Sequence, residues 1–175
     1  MKHLNVLSYE QADPETQTIL KKIKEQLGRV PNIYGALAHS SHALGALLSF
    51  KKALTGGVLN EKEAEAIALV VAGDNSCEYC VAAHTAIAKM AGIPPDVSRG
   101  LVKGESNEPK TAALIKLAGE ISSKRGRPSD EAIDNFYRAG YGDAALAEVV
   151  AHVALNLYTN YFNHISEPKI DFPKV

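Results

Sequence analysis

The sequence predicts an all-α protein of about eight helices, a single domain over residues 1–175. Apolar residues recur at helical spacing through most of the chain. No segment alternates with period two as a half-buried strand does. Ser, Asp and Asn stand ahead of the apolar runs, where helix caps are needed, and Gly or Pro follow them. The chain is long enough for a sizeable core. Trp is absent and aromatics make up 6% of residues, so that core is mainly aliphatic.

Residues 1–12 read as an irregular arm. Asp13 caps a helix opened by Pro14; it runs to about Gln26, stops at Gly28 and has Ile19, Ile23 and Leu27 as its apolar stripe. Residues 29–32 are a turn, 33–39 a short helix, and Ser40 or Ser41 caps another running to Leu54, ended by Thr55-Gly56-Gly57. Two central helices follow at about 61–73 and 77–91, broken at Gly73-Asp74-Asn75. Asn60 and Glu63 form a capping box for the first, and Ser76 is a good cap for the second. Gly92-Ile93-Pro94-Pro95 closes the pair. Then come a short helix over 96–102, a loop at 103–107, a helix over 108–123 with Ala112, Ile115, Leu117 and Ala118 inside, and a basic turn at 124–128. Ser129 caps a helix to Arg138, Asp143 caps the last long helix to about Ile165, and the tail E-P-K-I-D-F-P-K-V is extended.

Lys and Arg total 19 against 20 Asp and Glu, and no basic stripe interrupts the chain, which argues against a nucleic-acid surface. No apolar stretch reaches membrane-spanning length. The N-terminus lacks a signal-peptide apolar region, so a cytoplasmic protein is expected. In that compartment the two cysteines point to catalysis or metal binding rather than a structural staple.

Those cysteines form the most informative stretch, residues 61–91. Cys77 and Cys80 stand three apart, His84 follows by four, and Glu65 precedes by twelve. On a helix, Cys77, Cys80 and His84 fall within an arc of roughly 60°, and the cysteine Cα atoms come ~5 Å apart, inside the disulfide window. Ile87, Ala88 and Ala91 continue that face, while Glu78, Thr85 and Lys89 lie opposite. A thiol in the first turn feels the positive helix end, which favours thiolate. An imidazole one turn on can take its proton. Glu65 is the last charge before A-I-A-L-V-V-A, a run apolar on every side and so buried. A carboxylate there needs a partner, and His84 is the natural one.

Each of these residues also has a plainer reading. Cysteines are often simply buried, a lone His is often a satisfied core residue, and Glu65 could be an ordinary first-turn acid. The shared stripe favours redox chemistry. Structural zinc needs four ligands, whereas Cys77, Cys80 and His84 give three unless Glu65 joins them. Tyr79 lies off the stripe and reads as packing. His152 and His164 read as structural, with His152 a weak pocket candidate; His39 and His42 read as surface or cap residues. A weak repeat sets Asn60–Leu69 beside Asp143–His152, placing Glu65 on Glu148 and the Cys77–Cys80 tetrapeptide on Asn160–Asn163. It suggests two related helical halves built from duplicated hairpins, with chance likeness of Ala-rich helices as the alternative.

The spacing E-x11-C-x2-C-x3-H, the stretch C-E-Y-C-V-A-A-H-T and the later Gly92-Ile93 resemble the alkylhydroperoxidase D family of the carboxymuconolactone decarboxylase superfamily. V-P-N-I-Y-G-A-L, A-L-N-L-Y-T-N-Y-F-N-H-I and I-D-F-P resemble its peroxidase-related branch. The resemblance implies an all-helical homotrimer or homohexamer. It also implies thiol-dependent reduction of hydroperoxides by dihydrolipoamide, a lipoylated protein or a similar dithiol, with no cofactor and no metal. Glu65, Cys77, Cys80 and His84 fall on the family's proton-relay carboxylate, two redox cysteines and histidine. Tyr79 stands where well-studied members have a further histidine. In the mechanism this suggests, Cys80 attacks the peroxide, His84 oriented by Glu65 takes its proton, and Cys77 resolves the sulfenic acid; attack by Cys77 is the alternative order. The competing function classes are a redox-sensing or scaffold protein whose disulfide toggles once, and a zinc-stabilised helical module.

Overall fold

A computed structural model describes residues 4–173. The first three residues of the expected arm and the last two of the expected tail lie outside the described residues. After a 3-10 turn at Tyr9–Gln11 come nine α-helices among the described residues: α1 (Pro14–Leu27), α2 (Asn32–Leu37), α3 (Ser41–Leu54), α4 (Glu61–Asp74), α5 (Glu78–Met90), α6 (Pro95–Val102), α7 (Pro109–Ser123), α8 (Asp130–Arg138) and α9 (Asp143–Ser166). No strand occurs among them.

The caps that punctuate the sequence act as caps. Asp13 accepts from the Glu15 and Thr16 amides, Ser40 from Ala43, and Ser129 from Ala132, while Asn60 and Glu63 close a capping box. Gly28 ends α1 in the left-handed conformation, φ 73°, which costs Gly nothing sterically. At α9 the expectation fails. Gly142 is the cap and Asp143 is the first helical residue, its carboxylate accepting from the Tyr137 hydroxyl at 2.9 Å.

α4 is the axis. It packs against α5, α6, α7 and α9, and Ala66–Ala72 is buried all round, as its unbroken apolar run requires. Two cores meet on it. One joins Ile67, Leu69, Val70 and Val71 to Leu114, Ile115, Leu117 and Ala118 of α7, Phe136 of α8 and Val149 and Val153 of α9. The other joins Leu20, Ile23, Leu37, Leu44 and Leu47 of the first three helices to Ala72, Cys77, Tyr79 and Cys80. The cysteine pair is thus part of a packed interface between α1–α3 and α5.

Four further expectations are corrected. The buried stripe of α1 is Thr16, Leu20 and Ile23, one step round from the expected one, and Leu27 is 56% exposed. α4 does not break at Gly73 but runs through it to Asp74, because Gly73 lets the α6 end come close: a Cβ there would meet the Val102 carbonyl oxygen. Thr85 is not on an outward polar face; it is half-buried and its hydroxyl is enclosed. The segment likened to the α4–α5 hairpin is one continuous helix, α9, so the likeness is one of sequence and not of duplicated hairpins. Glu148, matched to Glu65 in that register, accepts the Val58 and Leu59 amides at 2.9 Å each and pins the loop before α4.

Candidate active site

The turn between α4 and α5 is built by backbone constraints. Ser76 has φ 54°, the left-handed region. Its amide donates to the Gly73 carbonyl at 3.0 Å and that of Cys77 to the Ala72 carbonyl at 2.9 Å, the paired bonds with which a helix closes around a left-handed residue. Ser76 therefore ends α4 instead of capping α5, correcting the expectation. The cap of α5 is Cys77, whose sulfur accepts the Cys80 amide at 3.3 Å. Cys77 and Cys80 are disulfide-bonded with Cα atoms 5.2 Å apart. Both are buried.

One turn into the helix, His84 Nδ1 lies 2.8 Å from Glu65 Oε2. Glu65 is buried and His84 half-buried. The contact fixes the ring: with Nδ1–H donating to the carboxylate, Nε2 is left as the basic nitrogen. The structure thus brings Glu65 of α4 to His84 of α5, with Cys80 one turn and Cys77 two turns before His84 in the sequence.

Sequence reasoning missed the residue that touches both sulfurs. Asn163 of α9 donates its amide Nδ2–H to Cys80 Sγ at 3.2 Å and lies 3.9 Å from Cys77 Sγ. Its Oδ1 has no partner among the described residues, and neither amide atom of Asn160, one turn before it, has one. His152, Asn156, Asn160 and Asn163 form a buried polar row along one face of α9. The signal was present: amides at helical spacing on the face where α9 is otherwise aliphatic. Burial holds the His152 imidazole below its ordinary pKa, which keeps it neutral at physiological pH.

Tyr79 is more than packing. Its hydroxyl accepts the Ile33 amide at 3.2 Å and donates to Asp171 Oδ1 at 2.8 Å. Asp171 also pairs with Arg29 and accepts the Asn32 amide at 3.0 Å. Phe172 meets Tyr79 edge-on, and the Arg29 guanidinium lies 4.7 Å from the Phe172 ring centre. The tail is thereby buckled to the turn before α2 and to Tyr79, one of the two residues between the cysteines. Burial, reinforced by Asp171, pushes the Tyr79 phenol far above its ordinary pKa, so it stays protonated and does not replace a titrating histidine.

A notch of about 250 Å³ opens beside the pair, lined by Ser76, Cys77, Glu78, Tyr79, Asn163, His164, Glu167, Pro168 and Ile170. A larger cleft of about 700 Å³ between α7 and α8, bordered by Lys110, Lys116 and Arg138, contains none of the four candidate residues. Its cations are already paired, with Glu63, Glu120 and Asp134 respectively. Among the described residues no three His, Cys, Asp or Glu side chains converge as a metal-binding group.

Comparison with known proteins agrees with this architecture. Residues 41–103 match the carboxymuconolactone decarboxylase family. No curated protein matches the chain. Among solved structures, the chain resembles the alkylhydroperoxidase AhpD core of an uncharacterized peroxidase-related protein from Ralstonia eutropha JMP134, with 20% identity, TM-score 0.87, and coverage of 97% of this chain and 92% of that one. It also resembles an uncharacterized peroxidase-related protein from Silicibacter sp. TM1040, with 23% identity, TM-score 0.81, and coverage of 95% and 92%. A third is the debrominase Bmp8 in complex with 2,3,4-tribromopyrrole, with 18% identity, TM-score 0.81, and coverage of 96% and 91%. At these identities the likeness is one of fold, and a fold that carries different chemistries leaves the reaction to be argued from the site.

Proposed function

From a chain that carries the carboxymuconolactone decarboxylase family segment on an alkylhydroperoxidase D-like fold, we propose a thiol-dependent peroxidase that reduces hydroperoxides through the Cys77–Cys80 pair. The observation that carries the reading is the Glu65–His84 contact of 2.8 Å one helical turn from a closed disulfide. In the reduced protein His84 Nε2 takes the Cys80 thiol proton. The thiolate attacks the terminal peroxide oxygen, the O–O bond breaks, and the proton passes to the departing alkoxide. Cys80 is left as a sulfenic acid. Cys77 attacks that sulfur, water leaves, and the disulfide forms. An external dithiol, of which dihydrolipoamide or a lipoylated protein is the expected example, supplies two electrons and closes the cycle.

Self-association as a homotrimer or homohexamer belongs to the same proposal. α9 carries Val150, Ala154, Tyr158, Tyr161 and Ile165 along its outer face, with Val150 49% and Tyr161 and Ile165 56% exposed. A stripe of that size on an isolated chain fits a face covered by another copy. Sedimentation as a monomer at working concentration would remove this part.

The test of function is peroxide consumption with dihydrolipoamide, wild type beside Cys80→Ser. Sustained turnover lost in the variant is expected. Consumption of one equivalent followed by arrest would replace the peroxidase with a redox sensor. Sulfenate trapped in Cys77→Ser is the expected sign of attack by Cys80; sulfenate only in Cys80→Ser would reverse the two roles.

A further inference from the structure

The two cysteines are equally buried, 3% exposed each, but differ in what they border. Cys77 lines the notch; Cys80 and His84 do not. Asn163 lines it too, is 6% exposed, gives its amide N–H to Cys80 Sγ, and keeps an unpartnered Oδ1. The rim carries the carboxylates of Glu78 and Glu167 with no Lys or Arg, and the wall is finished by Pro168 and Ile170 of the tail.

We propose that this notch is the entry site of the reductant, that the reductant attacks Cys77, and that Asn163 stabilises the departing Cys80 thiolate. The inference rests on the proposed reduction of the disulfide by an external dithiol and extends it to a side, a sulfur and a ligand chemistry. A thiol entering the notch loses its proton to solvent. Its thiolate then attacks Cys77 Sγ. The Cys77–Cys80 bond breaks and a bond forms between Cys77 and the reductant. The electron pair leaves on Cys80, where the Asn163 N–H holds it. The second thiol of the dithiol then attacks its own sulfur in the mixed disulfide, releasing Cys77 as a thiolate and the reductant as its cyclic disulfide. A lower-energy leaving thiolate speeds exchange, so Asn163 acts on the reacting atom itself. The acidic rim selects a neutral dithiol over an anionic one by like-charge repulsion, an effect of roughly threefold to tenfold at low salt that fades as salt screens it.

The experiment uses the full chain with its disulfide preformed and no peroxide, so that failure of the peroxidase reading would leave it untouched. Oxidised wild type is mixed with β-mercaptoethanol, quenched with N-ethylmaleimide and mapped by mass spectrometry. Mercaptoethanol on Cys77 with maleimide on Cys80 is expected; the reverse labelling overturns the proposal. Reduction by dihydrolipoamide is then compared with reduction by dihydrolipoate, which differs in carrying a carboxylate. The amide should react faster, and Glu78→Gln with Glu167→Gln, both on exposed positions, should erase the difference. Equal rates in wild type would overturn the assigned ligand chemistry. In Asn163→Leu, exchange should slow on the order of tenfold, the worth of one hydrogen bond. The thiolate absorbance of Cys80, titrated in the Cys77→Ser background, should move to higher pH. An unmoved titration in a helical, folded Asn163→Leu protein overturns the role of Asn163.

Discussion

Tyr79 sits between Cys77 and Cys80, and its hydroxyl is consumed by the Ile33 amide and Asp171. Tyr79→Phe should therefore cost about 1–3 kcal/mol of stability, since it strands a buried amide and a carboxylate oxygen, while disulfide exchange continues. Urea denaturation beside an exchange assay checks this; unchanged stability with abolished chemistry would restore a relay role. The closeness of Glu65 to His84 and of Cys77 to Cys80 was legible because all four lie within one helical hairpin, where spacing fixes geometry. Asn163 and Asp171 were not. They approach the site from 83 and 92 residues away, and their placement depends on how α9 and the tail cross α5, which no local pattern states.

Helix positions were legible from caps and periodicity, and one misreading occurred where a residue could serve either of two helices. Ser76 has the chemistry of a cap for α5, but the closing turn of α4 needs a left-handed residue there first. An L-residue held in that conformation pays about 1 kcal/mol. Ser76→Gly should raise stability by about 0.5–1 kcal/mol, the gain being trimmed by the greater freedom of unfolded Gly. A loss of stability in thermal denaturation would mean that the Ser76 side chain has a role of its own. Gly73 gives the opposite lesson. Gly→Ala inside a helix ordinarily stabilises by up to about 1 kcal/mol, but here the added methyl would run into the Val102 carbonyl. Gly73→Ala should destabilise by about 1–3 kcal/mol as α4 and α6 are forced apart. A gain in urea midpoint would show that α6 yields freely. The repeat misled for a related reason: sequence likeness records composition and caps, whereas a hairpin needs a break, and α9 has none.

At the scale of the whole molecule, stability should fall with pH in two stages. Buried His152 has its pKa held below the ordinary 6.5 by desolvation. Its neutral form therefore stabilises the fold fully above that value, and the contribution is lost as pH falls through the lower folded value. Glu120 accepts the Ser129 amide at 2.7 Å and hydroxyl at 2.8 Å, and pairs with Lys124 and Lys116. These partners, the Ser129 amide foremost, lower its pKa from 4.5 to about 2. Its contribution is complete above 4.5 and lost between there and about 2, as the α7–α8 junction loosens. Urea midpoints measured from pH 7 to pH 2 should decline in both windows. Glu120→Gln should flatten the lower one, and a slope unchanged by that variant would assign acid unfolding to other groups. The all-α class was legible from periodicity; the two-core arrangement on α4 was not, because a helix buried on all sides carries no directional pattern to say which neighbour lies where.

The Asn163 contact also has a consequence for biosynthesis. Cys80 leaves the ribosome 83 residues ahead of the amide that holds its sulfur, and the tail residues that wall the notch emerge later still. A nascent chain that has formed the α4–α5 hairpin displays its two thiols without the amide, without the tail and without the acidic Glu167. The translation product is thus a bare dithiol first, and the amide that holds its sulfur arrives only when the last helix docks.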